Sequence, residues 1–308
     1  MLDSKSTGFS SAEIKKKFRL GEEIIRGILF LAAFLSVITT FAIIVVLAQE
    51  ALTFFSAIPL WDFLSGTKWT PLLEPRSFGV LPLVCGTLLI VVGAALGAVP
   101  VGLASAIYLA EYSSDQVRSI VKPILEVLAG IPTVVYGYFA LTFITPLLES
   151  VLPSTKIFNA ASGSIVVGIM VLPMVTSLCD DALRAVPGSL RQAGYALGAT
   201  QFEVTLRVSL PAALSGIMAS FVLATSRAIG ETMAVTLAAG ATPKLTFNPL
   251  ESIQTMTAYI VQVSLGDTPA GTVEYQTIFG VASLLFVITL SLNVFARRIL
   301  TRFREVYD

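Results

Sequence analysis

Residues 27–47 read GILFLAAFLSVITTFAIIVVL, a run of 21 residues without a charged side chain. A bilayer core of roughly 30 Å requires about 20 apolar residues in an α-helix, so this stretch predicts a membrane-spanning helix. It is longer than the apolar core of a signal peptide, which has about 7–15 residues. We therefore expect it to be a retained membrane anchor.

The composition of the whole chain agrees with this prediction. Of its 308 residues, 55% are apolar and 13% are charged, whereas a soluble domain has about 25% charged residues. The net charge of zero gives no field that points to nucleic acid. There is no histidine, and Cys85 and Cys179 lie in apolar runs as small buried side chains. We expect no metal, no cofactor, no Ser-His-Asp triad and, without a P-loop motif, no ATP hydrolysis.

Six apolar segments are long enough to cross a bilayer and predict an all-α integral membrane protein. Their approximate bounds are 27–47, 80–110, 120–148, 163–178, 209–239 and 277–299. In the second, the Gly93-xxx-Gly97 spacing allows close approach of another helix. In the third, Pro132 predicts either a break that faces protein or water, or a kink that neighbouring helices absorb.

Basic residues predict the orientation of the chain in the membrane. With a cytoplasmic N-terminus and alternating sides, fifteen Lys and Arg fall on the cytoplasmic side, four on the opposite side, and Arg227 lies inside a span. The positive-inside rule therefore predicts that both termini are cytoplasmic. Residues 1–26 are lysine-rich and form either a short interfacial helix or a solvated tail. Residues 27–308 form the predicted transmembrane domain.

The fifth predicted span carries two charges, Arg227 and Glu231, each costing about 2.5–3.5 kcal/mol at the centre of a membrane. A spacing of four residues places them on one helix face, where they can pair. One interpretation is a substrate pathway in which Arg227 offers donors to an anion, Glu231 tunes that charge, and Ser226 and Thr232 add hydroxyls. The other is a structural ion pair that holds helices together.

A polar stretch at residues 180–210 separates the fourth and fifth segments and is too long for a simple hairpin. Helical pieces on either side of Gly198 predict a short cytoplasmic helix-turn-helix, which is a natural docking place for a soluble partner. Asp180 and Asp181 are adjacent, and neighbours on a helix point in different directions. We therefore interpret these two acids as solvated surface.

Residues 180–211 resemble the coupling loop of ABC importer permeases, whose pattern reads E-A-A, three residues, G, nine residues, I-x-L-P. The match keeps this spacing and consists of Gln192, Ala193, Gly194, Gly198, Val208, Ser209, Leu210 and Pro211. Gln192, Gly194 and Val208 differ from the family's residues. Stretches 63–71, 78–82, 99–102, 130–137 and 227–233 are similar to PstC-type permease subunits of phosphate-specific importers.

This resemblance implies a type I ABC importer permease fold with six transmembrane helices in a bacterial inner membrane. It implies half of a phosphate path, with a homologous PstA-type permease, two PstB-type ATPase subunits and a PstS-type phosphate-binding protein as partners. The chain would be a non-catalytic subunit, coupled to the ATPase through the 180–211 loop. The alternatives are a permease for sulfate or molybdate, a membrane enzyme acting on lipids, and a passive channel or structural subunit. A passive pore has no reason to carry the coupling loop.

Overall fold

The computed structural model describes residues 20–302, with side chains described for residues 21–298. Most of the predicted cytoplasmic segment 1–26 therefore lies outside the described residues. The chain divides into two compact units, one ending at Val46 and one beginning at Leu47. The helix α1 (Leu20–Ala57) begins in the first unit and ends in the second.

The remaining described elements belong to the second unit and are helical, apart from a single antiparallel bridge between Trp69 and Phe78. In chain order they are α2 (Leu60–Ser65), α3 (Leu81–Tyr112), α4 (Asp115–Ala129), α5 (Thr133–Val151), α6 (Ala160–Arg184), α7 (Gly188–Ala196), α8 (Gln201–Ile229), α9 (Met233–Ala239), α10 (Met256–Leu265) and α11 (Val273–Arg302). Within α3, α5 and α8, one turn each widens to π-helical geometry, at 108–112, 140–144 and 205–209.

Within the described part of the chain, six helices are long and apolar enough to cross a membrane, as the sequence predicts. They are Gly21–Ala57, Leu81–Tyr112, Thr133–Val151, Ala160–Arg184, Gln201–Ile229 and Val273–Arg298. The shortest has 19 residues, and at 1.5 Å per residue it is about 28 Å long, close to the thickness of a bilayer core.

Two of the predicted spans are not continuous helices. The predicted segment 120–148 is divided into α4, which has no buried residue, and α5, which alone is a candidate span. Between them, Pro132 breaks the helix because it lacks an N–H group and restricts the residue before it. The predicted segment 209–239 is also divided, since α8 ends at Ile229 and α9 begins at Met233.

The centre of the second unit is α6, the most buried of the candidate spans. Small residues allow α3 to pack closely against it. A Cβ atom on Gly93 would lie 2.5 Å from Ser164 Oγ, and one on Gly168 would lie 3.2 Å from the Ala94 carbonyl oxygen. Gly97 has nothing within 4 Å of its added Cβ. Of the two glycines in the predicted spacing, only Gly93 therefore makes the close approach.

Apart from the apolar core around α6, a separate apolar cluster joins the segment 47–80 to α10 and α11. Its centre is a chain of aromatic rings in which Phe63 lies 5.7 Å from Phe54 and 6.1 Å from Trp69, measured between ring centroids. Trp69 in turn lies 4.9 Å from Tyr259 of α10. Burial raises the pKa of Tyr259 to about 12, because a phenolate charge would be poorly solvated inside this cluster. The long segment before α3 is thus a packed structure.

We predict that Phe63→Ala destabilises the protein by about 3–5 kcal/mol, because it removes a fully buried ring from this cluster. Trp61→Ala is the matched control on the same short helix, since Trp61 is 77% exposed. Calorimetry in detergent should show a lowered unfolding midpoint for Phe63→Ala and little change for Trp61→Ala. Equal midpoints for the two variants would contradict the packing described above.

Candidate functional site

The interruption between α8 and α9 is held together by Glu231, whose side chain is 8% exposed. Its carboxylate accepts a hydrogen bond from the Ala234 N–H at 3.1 Å, at the N-terminal end of α9. Its backbone carbonyl accepts a hydrogen bond from Thr257 Oγ1 of α10 at 2.7 Å. A carboxylate is favourable beside the free N–H groups that begin a helix. Glu231 therefore caps α9 and joins the interruption to α10.

Arg227 lies near the end of α8 and is exposed. Among the residues that the structure describes, it makes no hydrogen bond or ion pair. The prediction that Arg227 and Glu231 share a helix face and pair is therefore wrong. An ion pair at i and i+4 requires a continuous helix, and α8 ends between the two residues.

Tyr136 is a residue that the sequence analysis did not single out. Its side chain is buried, and its hydroxyl donates to the Leu128 carbonyl oxygen of α4 at 2.9 Å. This bond bridges the interruption at Gly130, Ile131 and Pro132. A Cβ atom on Gly137 of α5 would lie 3.0 Å from Ala234 Cα of α9, so the helices that follow the two interruptions pack closely against each other.

The two hydroxyl groups predicted to line a pathway both have partners. Ser226 Oγ donates to Asn293 Oδ1 of α11 at 3.1 Å, and Thr232 Oγ1 donates to the Gly230 carbonyl oxygen at 3.1 Å. Asn293 also lines a groove of about 590 Å³ between α8 and α11, together with Leu223 and Arg297. The sequence signal for Asn293 is an amide side chain within an otherwise apolar span.

The second candidate site is the turn between α7 and α8, where the helix-turn-helix expected from the sequence forms. Gly198 has φ +83°, a conformation that glycine adopts readily and other residues avoid. Thr200 then caps α8 through a reciprocal pair of hydrogen bonds with Glu203. Gly194, which differs from the family pattern, lies where a Cβ would approach Val204 Cγ2 to 2.9 Å. Its small size lets α7 pack directly on α8.

The residues of the coupling pattern fall into two groups. Gln192, Ala193 and Gly198 are exposed. Val208, Leu210 and Pro211 lie within α8, around its π-helical turn, and Val208 faces Gly194. The pattern therefore combines an exposed surface with the helix that supports it.

Exposed apolar side chains surround Gly198 and enlarge this surface. Leu197 is 90% exposed and Phe202 is 63% exposed, and Leu206 continues the apolar patch along α8. An exposed apolar patch of this kind typically marks an interaction site. The sequence analysis named none of these three residues, because apolar side chains carry no signal of exposure in the sequence alone.

Ion pairs fasten α4 to the C-terminal end of α6, close to this turn. Arg118 donates to both carboxylate oxygens of Asp180, with the shortest bond at 2.8 Å, and Lys122 Nζ lies 2.5 Å from Asp181 Oδ1. The hydrogen bond with Asp180 raises the pKa of Arg118, which keeps the guanidinium charged. The interpretation of both acids as solvated surface is therefore wrong for Asp180, which is 1% exposed, because its partner is a distant residue of the sequence.

Metal-ligating clusters are absent from the residues for which side chains are described. Cys179 is buried as predicted, with its thiol 2.8 Å from the Ser220 hydroxyl. Cys85, which was also expected to be buried, is only partly buried, and its thiol donates to the Thr246 carbonyl oxygen at 3.4 Å.

Comparisons with known proteins agree with this architecture. Residues 98–305 match the family described as binding-protein-dependent transport system inner membrane component. The chain is 33% identical over 265 residues to the probable ABC transporter permease protein YqgH of Bacillus subtilis, covering 82% of this chain and 85% of the relative. It is 32% identical over 264 residues to the phosphate transport system permease protein PstC of Mesorhizobium japonicum, covering 79% of each.

Among solved structures, the fold is similar to a chain in the crystal structure of a bacterial ABC transporter involved in the import of the acidic polysaccharide alginate. The TM-score is 0.59 at 18% identity, and the match covers 93% of this chain and 100% of that chain. At this identity the similarity concerns the fold alone.

We predict that Asp180→Asn destabilises the protein by roughly 1.5–3 kcal/mol, because it removes the charge from a buried carboxylate that accepts hydrogen bonds from Arg118. Asp181→Asn is the matched control on the same helix and should cost roughly 0–1 kcal/mol, since this carboxylate is half exposed. Unfolding midpoints of the two variants in detergent give the comparison. An Asp180→Asn variant as stable as the wild type would show that the buried pair is unimportant.

Proposed function

Because this chain belongs to the family of binding-protein-dependent transport system inner membrane components, we propose that it is the permease subunit that forms half of the path of an ATP-driven phosphate importer. The observation that carries this proposal is Arg227, an exposed cation without a carboxylate partner among the described residues, beside an interruption of a candidate span. Relatives named as phosphate transport permeases, at about 30% identity over most of the chain, support phosphate as the substrate.

An anion that crosses the apolar core of a membrane needs positively charged groups along its path. Charged residues within membrane spans usually mark such an ion or substrate path. An arginine is well suited to phosphate, because its planar guanidinium donates two parallel hydrogen bonds to two oxygens. The hydrogen bond from Ala234 directs the carboxylate of Glu231 to α9. The guanidinium of Arg227 therefore keeps its hydrogen-bonding capacity for a passing anion.

One arginine balances the charge of phosphate only in part, so we propose that a homologous permease of the PstA type contributes further donors. The exposed position of Arg227 on the single chain supports this arrangement, since a second subunit can face it. The groove between α8 and α11 adds Asn293 and Arg297 among residues that are otherwise apolar.

In this proposal, the turn around Gly198 is where ATP hydrolysis is coupled to transport. The exposed residues Gln192, Ala193 and Gly198, with Leu197 and Phe202 beside them, form a surface that fits a groove of an ATPase subunit. We propose that PstB-type ATPase subunits dock there and that a PstS-type binding protein delivers phosphate to the opposite end. The turn would then be cytoplasmic, as would both termini, in agreement with the excess of basic residues on that side.

Permeases for sulfate or molybdate share the coupling pattern, so a related oxyanion is the second candidate. The family assignment makes the chain a transport component, which leaves no role for a lipid-modifying activity of its own. Uptake of radiolabelled phosphate into proteoliposomes that contain the complete transporter tests the substrate directly. Uptake of labelled sulfate or molybdate, with no uptake of phosphate, would favour the alternative.

We predict that Arg227→Gln lowers phosphate uptake about tenfold or more, because hydrogen bonds to a charged group contribute about 1.5–3 kcal/mol. Arg227→Lys should retain part of the uptake, since it keeps the charge but loses the fork of donors. Glu231→Gln should stay near wild-type uptake, because the amide oxygen can still accept the Ala234 N–H. Full uptake by Arg227→Gln would rule out a role for this residue in the path.

We predict that Gly198→Ala weakens docking of the ATPase, because a side chain in the left-handed conformation costs roughly 1–2 kcal/mol. The position has nothing within 4 Å of an added Cβ, so any effect comes from the backbone conformation. Gly188→Ala is the matched control, with equal free space and no positive φ. The amount of ATPase that co-purifies in detergent is the readout, and equal recovery by both variants would exclude docking through this turn.

A further inference from the structure

The guanidinium of Arg191, on α7, connects three elements at one point. Its Nε and Nη2 donate to Glu111 Oε1 of α3 at 3.2 and 3.0 Å. Its Nη1 donates to the Val186 carbonyl oxygen at 3.0 Å, and its Nη2 donates to the Leu183 carbonyl oxygen at 2.7 Å. Leu183 lies in the last turn of α6, and Val186 follows the end of that helix, so both bonds are made where a helix ends and its carbonyls need outside partners. Arg191 therefore caps α6 and pairs with α3 at the same time.

Glu111 provides the other half of this junction. Its side chain is 4% exposed, against 19% for Arg191, so the ion pair is largely shielded from water. The Glu111 backbone carbonyl also accepts a hydrogen bond from Gln201 Nε2 at 2.5 Å. Gln201 is the first residue of α8, so Glu111 holds both helices that flank the Gly198 turn. It does so from within the π-helical turn of α3, a geometry that occurs often at functional sites.

We propose that Glu111 and Arg191 are the positioning pair that transmits displacement of α7 to α3. The proposal rests on the proposed function, because it takes α7 to be the element that an ATPase moves. A buried, hydrogen-bonded pair resists separation, since either charge alone would be left unpaired away from water. A push on α7 therefore displaces the ends of α3 and α8 with it, and α3 carries this motion along its packing against α6.

The ion pair between Asp115 and Arg184, at the same end of the molecule, lacks this property. Asp115 Oδ1 accepts a hydrogen bond from Arg184 Nη2 at 3.1 Å, but the Asp115 side chain is 93% exposed. Exposed pairs of this kind contribute little and separate readily. Asp115→Asn is therefore the matched control for Glu111→Gln, because each variant exchanges a carboxylate that accepts from an arginine for a neutral amide of the same shape.

The first experiment compares these variants in the complete transporter, reconstituted with its ATPase, permease partner and binding protein. We expect Glu111→Gln to co-purify with the ATPase, while the stimulation of ATP hydrolysis by phosphate-loaded binding protein falls about tenfold relative to the unstimulated rate. Arg191→Lys should lie between this variant and the wild type, and Asp115→Asn should match the wild type. Unchanged stimulation in Glu111→Gln would overturn the proposal, and so would loss of co-purification, which would indicate a purely structural role.

The second experiment is independent of the substrate. Spin labels at Ser189 on α7 and at Val101 on α3, both of which are exposed, report the separation of the two helices in a background with Cys85→Ala and Cys179→Ala. We expect this distance to stay constant between nucleotide-free and vanadate-trapped states in the wild type, and to change in Glu111→Gln. A distance that changes as much in the wild type as in the variant would contradict the proposed role of the Glu111–Arg191 pair. A wild-type complex without phosphate uptake would instead overturn the proposed substrate, while the distance still reports on the pair.

Discussion

Backbone groups without hydrogen bonds are costly in an apolar environment, and this constraint governs where the chain interrupts its helices. After α4, the Tyr136 hydroxyl bonds to the Leu128 carbonyl oxygen. After α8, Thr257 bonds to the Glu231 carbonyl oxygen, and the Glu231 carboxylate accepts the Ala234 N–H. Each interruption is thus compensated by a neighbouring element. The two interruptions are stable features of the fold, and they bring polar groups into otherwise apolar helices.

Among the described residues, charged side chains are buried and paired in one part of the molecule, and exposed and unpaired in another. Around the ends of α4, α6 and α7, the carboxylates of Asp180 and Glu111 are buried and each is paired with an arginine. Such pairs add little net stability, since desolvation offsets attraction, but they define one geometry because separating them is unfavourable. Arg227 is the contrasting case, an exposed guanidinium with no ion pair in the part of the chain that the structure describes. Buried ion pairs thus fix the geometry at the end of the molecule that carries α7. At the interruption after α8, by contrast, the guanidinium of Arg227 is free to bind an anion.

The number of candidate spans follows from the sequence, because lipid requires a minimum length of apolar helix and leaves few alternatives. The turn at Gly198 could be predicted as well, because the coupling pattern places a glycine between two helical pieces. Glycine suits the positive φ that the chain adopts there. The burial of Asp180 does not follow, since its partner Arg118 is 62 residues away in the sequence. The end of α8 was missed for a related reason. Gly230 alone is a weak helix breaker, and the cap that Glu231 supplies becomes visible only with α9 and α10 in place.

The separation of Arg227 from Glu231 changes what the path must contain. Were they paired, an anion would have to displace a carboxylate before reaching the guanidinium. With Glu231 committed to α9, the guanidinium offers its donors directly, but it can reach only part of a tetrahedral anion. Ser226 and Asn293 are hydrogen-bonded to each other, and the Thr232 hydroxyl donates to the Gly230 carbonyl oxygen. In the proposed path, the remaining donors would therefore come from a second subunit or from water, and the anion site would be complete only in the assembled transporter.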